Sequence, residues 1–548
     1  MVRLGGVRLV RRPVLLAALL GMLVGCTGGT APAMPLPTGQ PASGKPAQGA
    51  TFTEAVVGTP GFLNPLFSDE DNSREIDTLI YQGLVRVGPD QQVHPLLAKE
   101  VKLSDDHLTY TAHLRDDVRW ADGAAFGVDD VLFTFGVLQD PAYDRPAASV
   151  WKGLTVKKVG DADVAFTLRS PSAAFPLSLL TGILPKHLFS ADVAAMPGSP
   201  FSGRRALGTG PFMVDTISAD RTEVVLRRNP HATPAPWLDR IVFRSYASLA
   251  LAVRAAAGGE ADAVGGMQSP AFLKELQGGS LAISDVRTFS FTSVFLNISS
   301  DIGYFVAPAV RRALAQAVDR RRVVADALGG RADPVSGPIP PSDWAYSREV
   351  GIDYNPAAAA KALTDAGWTL PDQGLYRTRA GHDFTVSLVA ADAYPFREVA
   401  DSVRRQLLGV GVRVTVQDVP VSQLVTRYLV GHGYQMAIAS FDNGPDPDQF
   451  SLWHSSMKQY PLNVSGLPRQ GFIDKALEDG RARTDAAGRM AAYADLQKLI
   501  TEASPAIFLY EPHYQYAVSR RVHGLHMNPV IEPGDRFEYV TDWYITTK

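Results

Sequence analysis

The stretch Ser440-Phe441-Asp442-Asn443-Gly444-Pro445-Asp446-Pro447-Asp448-Gln449-Phe450 is the centre of our interpretation of the chain. It follows an apolar run at 434–439, which predicts a buried strand. Glycine and proline among Asp and Asn side chains indicate tight turns. A strand that ends in an acidic turn places carboxylates at the edge of a sheet, where α/β proteins commonly hold ligands. A solvated turn, whose side chains only cap local backbone, is the alternative interpretation.

Length and charge restrict the class of protein. A chain of 548 residues is too long for a single core, and the usual size of domains predicts roughly two to four of them. The formal charge is -3, and residues 1–25 contain four arginines and no acid, so a chain cut before Cys26 would carry -3 - 4 = -7. A mildly acidic protein gives no electrostatic reason to expect a nucleic acid as its partner.

The N-terminus has the features of an exported lipoprotein. Basic residues precede an apolar segment at 13–24, which has the length of a signal-peptide core and is too short for a membrane span. Cys26, the only cysteine, follows Leu-Val-Gly and completes what looks like a bacterial lipobox, in which the cysteine is lipidated and becomes the new N-terminus. A cleaved signal or a short anchor with a chance cysteine is the alternative. We therefore predict a signal peptide over 1–25 and a lipidated, proline-rich flexible tether over 26–50.

The sequence contains no motif that specifies an enzyme or a cofactor. The acidic loop at 69–73 begins like a calcium-binding EF-hand loop, but Arg74 stands where that loop needs glycine and Ile80 where it needs glutamate. Neither a dinucleotide-binding G-x-G-x-x-G nor a Walker A motif is present. His523 and His526 have no nearby acid, so chance explains them better than zinc. Acid pairs of a glycoside hydrolase stay an alternative, because they pair only in space.

The pattern of apolar residues changes along the chain. Strands with period-two alternation, such as 108–115 and 164–168, occur in the N-terminal part. From Phe289 onward, strands alternate with helices: a predicted strand at 291–298 is followed by a helix that begins at Pro308. The second half of the chain is therefore predicted to be α/β.

A series of short segments resembles the family 5 extracellular solute-binding proteins, the oligopeptide-, dipeptide- and nickel-binding receptors of ABC importers. The segments occur in the family's order from about Thr51 to the C-terminus. They are 79–85, 108–115, 118–123, 129–131, 208–211, 228–230, 310–314 with 319–320, and Asp442 within 441–450.

The resemblance implies an α/β fold of two lobes with a ligand cleft between them and an extra N-terminal subdomain inserted in the first lobe. Mapped onto this chain, the first lobe takes 51–85, 182–287 and 508–548, the inserted subdomain takes 86–181, and the second lobe takes 288–507. Two crossings between the lobes, near 285–290 and 505–510, would form a hinge.

The resemblance also implies where a ligand is held. In peptide-binding members, an aspartate at the position of Asp442 pairs with the α-ammonium of the ligand, and the loop matching 69–73 gives backbone hydrogen bonds. The candidate ligand-binding residues are Asp442, Asn443, Asp446, Asp71, Asn72 and Ser73.

This chain departs from the family at two points near that aspartate. Ala439 and Ser440 stand where some oligopeptide binders carry tryptophan and cysteine, and Pro445 looks like an insertion. The sequence therefore leaves open whether Asp442 or Asp446 faces the cleft. We expect Asp448 at the rim.

The implied function is that of a receptor, not of an enzyme. It captures a peptide or another small solute and delivers it to an ABC permease and its ATPase subunits. The expected form is a monomer, lipid-anchored in the cell envelope at the periplasmic or extracellular face, with no cofactor, metal or nucleic acid. Two alternatives belong to other classes: a surface hydrolase of peptides or glycans, and a chaperone-like lipoprotein that uses the same cleft.

Overall fold

The computed structural model describes residues 2–4, 7–9, 46, 48–145, 147–298, 303–457, 462 and 467–546. The predicted lipidation site Cys26 lies outside the described residues, as do most of the predicted signal peptide and tether. Within the described ranges, no helix is long and apolar enough to cross a membrane.

The strands of the described chain are numbered in order. They are β1 Val2–Leu4, β2 Val7–Leu9, β3 Thr51–Val57, β4 Val85–Val87, β5 Val93–Pro95, β6 Ala98–Leu103, β7 Thr109–Leu114, β8 Thr155–Lys158, β9 Asp163–Thr167, β10 Phe212–Ile217, β11 Glu223–Arg228, β12 Arg240–Tyr246, β13 Ala263–Gly265, β14 Leu281–Arg287, β15 Ser290–Leu296, β16 Ala332–Pro334, β17 Thr378–Arg379, β18 His382–Asp383, β19 Thr385–Ala391, β20 Arg413–Val419, β21 Met436–Asp442, β22 Ala506–Ser519, β23 Val522–His523 and β24 Tyr544–Ile545.

The helices are numbered in the same way. They are α1 Asp71–Ile80, α2 Val128–Gln139, α3 Ala148–Trp151, α4 Leu249–Ala257, α5 Pro270–Leu276, α6 Pro308–Gln316, α7 Arg320–Leu328, α8 Pro356–Asp365, α9 Phe396–Leu408, α10 Val421–Gln423, α11 Phe450–Trp453, α12 Gln470–Ala482 and α13 Ala486–Ala503. Short 3₁₀ segments lie at Phe175–Leu180, Lys186–Leu188, Val193–Gly198, Pro200–Ser202, Ser455–Met457, Pro533–Phe537 and Val540–Asp542, and a π-helical turn at Leu424–Leu429.

The first large sheet is built around β3. Its strand order is β10-β11-β12-β3-β13-β22, with β14 also paired to β22. β3 and β12 run parallel, with Thr51 opposite Arg240 and Val57 opposite Tyr246. A separate antiparallel sheet, in the order β6-β7-β9-β8, lies within the region predicted as an inserted subdomain. We call this the inserted sheet.

The second large sheet contains the strands of the α/β half. β15 lies between β21 and β22, β19 joins β20 to β21, and β16 pairs with β22. β15 is buried along its whole length, including its polar residues Ser290, Thr292 and Ser293, as expected for a central strand between two partners. Helices α6, α7, α9 and α13 contribute apolar side chains to the same core.

Two large hydrophobic cores divide the chain. The first core takes its residues from Phe52 to Ala263 and from Tyr516 onward, and it includes the side chains under the inserted sheet. The second core takes its residues from Phe291 to Tyr510. A smaller core lies under α4 and α5. Each large core therefore belongs to one of the two large sheets.

The chain passes between the two cores at β22 and at the turn before β15. β22 pairs with β15 and β16 as far as Pro512, and with β14 from His513 onward. The turn at Thr288 and Phe289 joins β14 to β15 and lies within the crossing predicted near 285–290. The change of partner in β22 falls a few residues after the crossing predicted near 505–510. Thr288 Oγ1 donates to the Pro512 carbonyl at 2.8 Å, so the two crossings touch.

Candidate functional site

Strand β21 ends beside the crossings. Asp442 is opposite Ser290 in the antiparallel register with β15. The backbone N–H of Asn443 then donates to the Phe289 carbonyl at 2.9 Å. β21 is buried up to Phe441 and becomes partly exposed at Asp442. The acidic stretch at 440–450 therefore starts at the junction of the two sheets, and ligand sites occur preferentially at such boundaries.

The other edge of β21 accepts an extended segment at this point. β19 pairs with β21 only at Met436 and Ala437. Further along the same strand, β1 pairs with it in antiparallel fashion, with Val2 opposite Phe441 and Arg3 opposite Ser440. In this register the amino-terminal end of the added strand points toward Asp442. This edge thus offers main-chain hydrogen bonds to an extended chain, which is the principle of peptide recognition by strand addition.

Asp446 lies in a different environment from Asp442. It is fully buried and accepts two hydrogen bonds from Arg489 Nη2, at 2.8 and 2.7 Å. Burial raises the pKa of Asp446 to about 7, and the charge of Arg489 opposes that rise. Burial alone would lower the pKa of Arg489, but the charges of Asp446 and Tyr493 raise it above its usual range. Because the guanidinium stays charged, we treat Asp446 and Arg489 as a buried ion pair inside the second core.

The predicted position of Asp448 at the rim is wrong. Its side chain is 0% exposed, and its Oδ2 accepts a hydrogen bond from Arg481 Nε at 2.6 Å. Its Oδ1 accepts from the backbone N–H of Phe450 at 3.0 Å, which fixes the start of α11. Gly444 and Pro445 form a turn as predicted, but Asp446 and Asp448, which follow that turn, are buried.

Asn443 and Gln449 connect the two ends of the acidic stretch. Gln449 Nε2 donates to Asn443 Oδ1 at 3.3 Å and also to the Pro338 carbonyl. Trp453 Nε1 in turn donates to Gln449 Oε1 at 2.5 Å. This chain of hydrogen bonds gives the stretch a fixed shape between β21 and α11.

Asp71, Asn72 and Ser73 form the first turn of α1, so the predicted loop over 69–73 is wrong for its last three residues. An acid in the first turn is favourable for the helix dipole, and Asp71 pairs with Arg74. Asn72 Nδ2 donates to the carbonyls of Val57 and Gly58, both at 2.7 Å. Ser73 Oγ accepts from the Gly61 N–H at 2.9 Å. These side chains fasten the segment after β3 to α1, whereas Asp442 ends β21 and Asn443 and Asp446 follow it.

Two further buried acids lie near the crossings, and no sequence motif pointed to them. Glu511, in β22, accepts a hydrogen bond from the Ser342 N–H at 3.2 Å, and burial raises its pKa to about 8. Burial also raises the pKa of Asp343 well above its usual range. Ser342 Oγ donates to the Thr288 carbonyl at 2.9 Å. Among the described residues, no group of three or more His, Cys, Asp or Glu side chains could hold a metal ion.

Arg481, Arg489 and Gln449 are site residues that the sequence did not indicate. Each contacts an aspartate or an asparagine of the acidic stretch, but Arg481 and Arg489 lie 33 and 43 residues from their partners. No local spacing connects an arginine on α12 or α13 with a turn after β21. Only the fold brings them together.

Comparison with known structures identifies the class of protein. The chain shares its fold with the oligopeptide-binding protein AppA from Bacillus subtilis in complex with a nonapeptide, with a TM-score of 0.73 and 25% identity, covering 92% of this chain and 100% of that one. The substrate-binding protein CtaP from Listeria monocytogenes gives a TM-score of 0.79 at 22% identity, with 91% and 100% covered. NikZ from Campylobacter jejuni, in complex with Ni(L-His), gives 0.73 at 23% identity, with 90% and 99% covered. The protein therefore has the two-lobed α/β architecture of the periplasmic binding proteins.

Sequence comparison identifies the family. The family described as "Bacterial extracellular solute-binding proteins, family 5 Middle" matches residues 92–460. AppA from Bacillus subtilis is 25% identical over 496 residues, which cover 89% of this chain and 91% of that protein. The chain belongs to the family 5 extracellular solute-binding proteins. It is a solute-binding receptor and not an enzyme, and proteins of this family act in the periplasm or outside the cell.

Proposed function

We propose that this protein is the solute-binding lipoprotein of an ABC importer, and that it captures peptides between its lobes for delivery to a permease with its ATPase subunits. The family supports this, as does the likeness to AppA, a protein named for oligopeptide binding and determined with a nonapeptide. The main support for the proposal is the edge of β21 that accepts a further strand. The strand added there, β1, has its amino-terminal end toward Asp442.

In this proposal the peptide takes the place of β1. A peptide that pairs with Ser440 and Phe441 in the same antiparallel register has its α-ammonium beside Asp442. Main-chain hydrogen bonds would give affinity for peptides of many sequences. In a chain cut before Cys26, as the sequence predicts, β1 is absent and the edge of β21 is available to a ligand. Asp446 is assigned a structural role, because Arg489 already neutralises it.

The Asp442 assignment is tested by calorimetry on processed protein freed of co-purifying ligand. Truncating one partner of a desolvated charge pair costs roughly 2–5 kcal/mol. Since ~1.4 kcal/mol is one decade, Asp442→Ala is expected to weaken the binding of a peptide pool by about 30- to 4000-fold. Acetylating the peptide N-termini should cause most of that loss in the parent protein and little further loss in the variant.

Asp418→Asn is the matched control, because Asp418 lies on β20 of the same sheet and pairs with Arg397. It should leave peptide affinity unchanged. If the parent protein binds free and acetylated peptides equally well, Asp442 does not recognise an α-ammonium and its assignment as the partner of the peptide's amino end is wrong.

We also propose that the protein is anchored through lipid on Cys26. The lone cysteine after a signal-peptide core supports this proposal. Stable anchoring needs more than one acyl chain or a second membrane signal. Cys26→Ser is expected to move the protein from the membrane fraction to the soluble fraction. A variant that stays with membranes at high salt would show that a different segment anchors the chain.

A further inference from the structure

Three hydrogen bonds join the inserted region at 86–181 to the second core. The backbone N–H of Ala173 donates to the carbonyl of Arg481 at 3.0 Å, at the C-terminal end of α12. Nearby, Thr484 Oγ1 lies 3.4 Å from His107 Nδ1. Gln91 Nε2, between β4 and β5, donates to the Ser342 carbonyl at 2.7 Å. Each contact joins a residue from the part of the chain around the first core to a residue from the part around the second core. The contacts therefore break when the two cores move apart.

Arg481 connects one of these contacts with the acidic stretch. Its Nε donates to Asp448 Oδ2 at 2.6 Å, and its guanidinium lies over the Phe450 ring with Cζ 3.8 Å from the ring centroid. The Phe450 ring is stacked on His454 at 3.8 Å between centroids. Planar stacking together with a charge-assisted hydrogen bond holds an arginine in one orientation. One residue therefore contacts the inserted region through its carbonyl and the stretch after Asp442 through its side chain.

A second arginine provides a natural comparison. Arg469, just before α12, pairs with Glu502 at 3.1 Å and lies over the Phe472 ring at 4.9 Å. Both of these partners belong to the second lobe. Arg469 and Arg481 thus have the same chemistry at opposite ends of one helix, but only the carbonyl of Arg481 meets the inserted region.

We propose that Arg481 is a positioning residue for ligand capture. It holds the end of α12 against the acidic stretch, so that the Arg481 carbonyl meets Ala173 when the lobes close over a ligand at Asp442. The inference rests on the ligand site and lobe closure proposed for this protein. Because the contact with Ala173 forms only in the closed state, its weakening accelerates ligand dissociation and leaves association with the open form unchanged.

Closure is measured without a ligand by cross-linking. His107→Cys with Thr484→Cys places two thiols at the cross-lobe contact, and a short bismaleimide traps the closed state. Peptide mass mapping separates the 107–484 link from any link to Cys26. In the protein with both added cysteines, Arg481→Ala is expected to lower the rate of cross-link formation about tenfold, equivalent to a loss of ~1.4 kcal/mol in the stability of the closed state. Arg469→Ala should cross-link at the parent rate.

The second arm uses a pool of nonapeptides on proteins without the added cysteines. Arg481→Ala should raise the dissociation rate about tenfold with the association rate changed less than twofold, since weakened contacts act mainly on dissociation. If no protein binds the pool, the peptide proposal fails while the cross-linking result still decides the role of Arg481. If Arg481→Ala does not fold, Phe450→Leu removes the stacking face and keeps both charges, and the same slower link is expected. Cross-linking at the parent rate in a folded variant would overturn the proposal, even if its melting temperature were lower.

Discussion

At the scale of single residues, the two aspartates that the sequence could not distinguish lie in opposite environments. Asp446 is fully buried with both carboxylate oxygens on Arg489, whereas Asp442 is partly exposed at the end of β21. A buried charge that already has its partner has little left to offer a ligand. The partial exposure of Asp442, together with the strand register at Ser440 and Phe441, favours Asp442 as the group that meets a ligand's amine.

Glu511 makes stability depend on pH. Burial raises its pKa to about 8, so the folded protein holds this proton after the unfolded chain, with a carboxyl pKa near 4.5, has released it. Stability from the protonated group is therefore fully present below pH 4.5 and is lost as the pH rises toward about 8. Glu511→Gln cannot ionise, and it should flatten the fall in melting temperature between pH 5 and pH 8.5.

The size of this pH effect on stability follows from the linkage between protonation and folding, since each unit of pKa shift corresponds to ~1.36 kcal/mol. We expect the variant to gain at least about 1 kcal/mol over the parent on going from pH 5 to pH 8.5. Glu398→Gln, at an exposed position in the first turn of α9, is the control and should follow the parent. A Glu511→Gln profile parallel to that of the parent would show that Glu511 is ionised in the folded protein.

At the scale of elements, the sequence predicts a helix boundary correctly where the residues at that boundary determine it. Pro308 begins α6 as predicted, because its fixed φ suits the first helical position. Asp319 caps α7 by accepting hydrogen bonds from the N–H groups of Arg321 and Arg322, and Gly329 ends the helix with φ of 60°. The predicted start at Pro308 used only residues within one or two turns of the boundary, and it is confirmed.

Other elements depend on neighbours that are distant in sequence. Gly208 and Gly210 lie in one of the segments of the family resemblance, and α1 explains why they are glycines. A Cβ at Gly208 would stand 1.9 Å from the Ile80 carbonyl oxygen, which also accepts the Gly210 N–H at 2.8 Å. Asn229 Nδ2 then donates to the Gly210 carbonyl at 2.8 Å. Three of the segments behind the family resemblance, 79–85, 208–211 and 228–230, thus pack together at one helix end. A sequence can show that pattern, but only the fold gives its cause.

At the scale of the whole molecule, the two cores meet through few covalent links. One large core lies on each side of the crossings at Thr288–Phe289 and at Pro512. Short crossings can absorb the backbone rotation of a hinge while each packed core moves as a rigid unit. The contacts at Ala173, His107 and Gln91 then form one closed arrangement of the lobes. We propose that the unliganded protein also samples an open arrangement in which these contacts are absent.

Small-angle scattering on the processed protein tests this hinge. The radius of gyration is expected to be smaller with a saturating peptide pool than without it, because a ligand that contacts both lobes shifts the population toward the closed arrangement. The control is the His107→Cys/Thr484→Cys protein after bismaleimide cross-linking, in which closure is already fixed. Its radius should equal that of the liganded parent and should not respond to peptide. The hinge is contradicted if the parent protein saturates with peptide while its radius of gyration stays constant and equals that of the cross-linked control, with and without peptide. The site would then be rigid, and ligands would enter and leave without movement of the lobes.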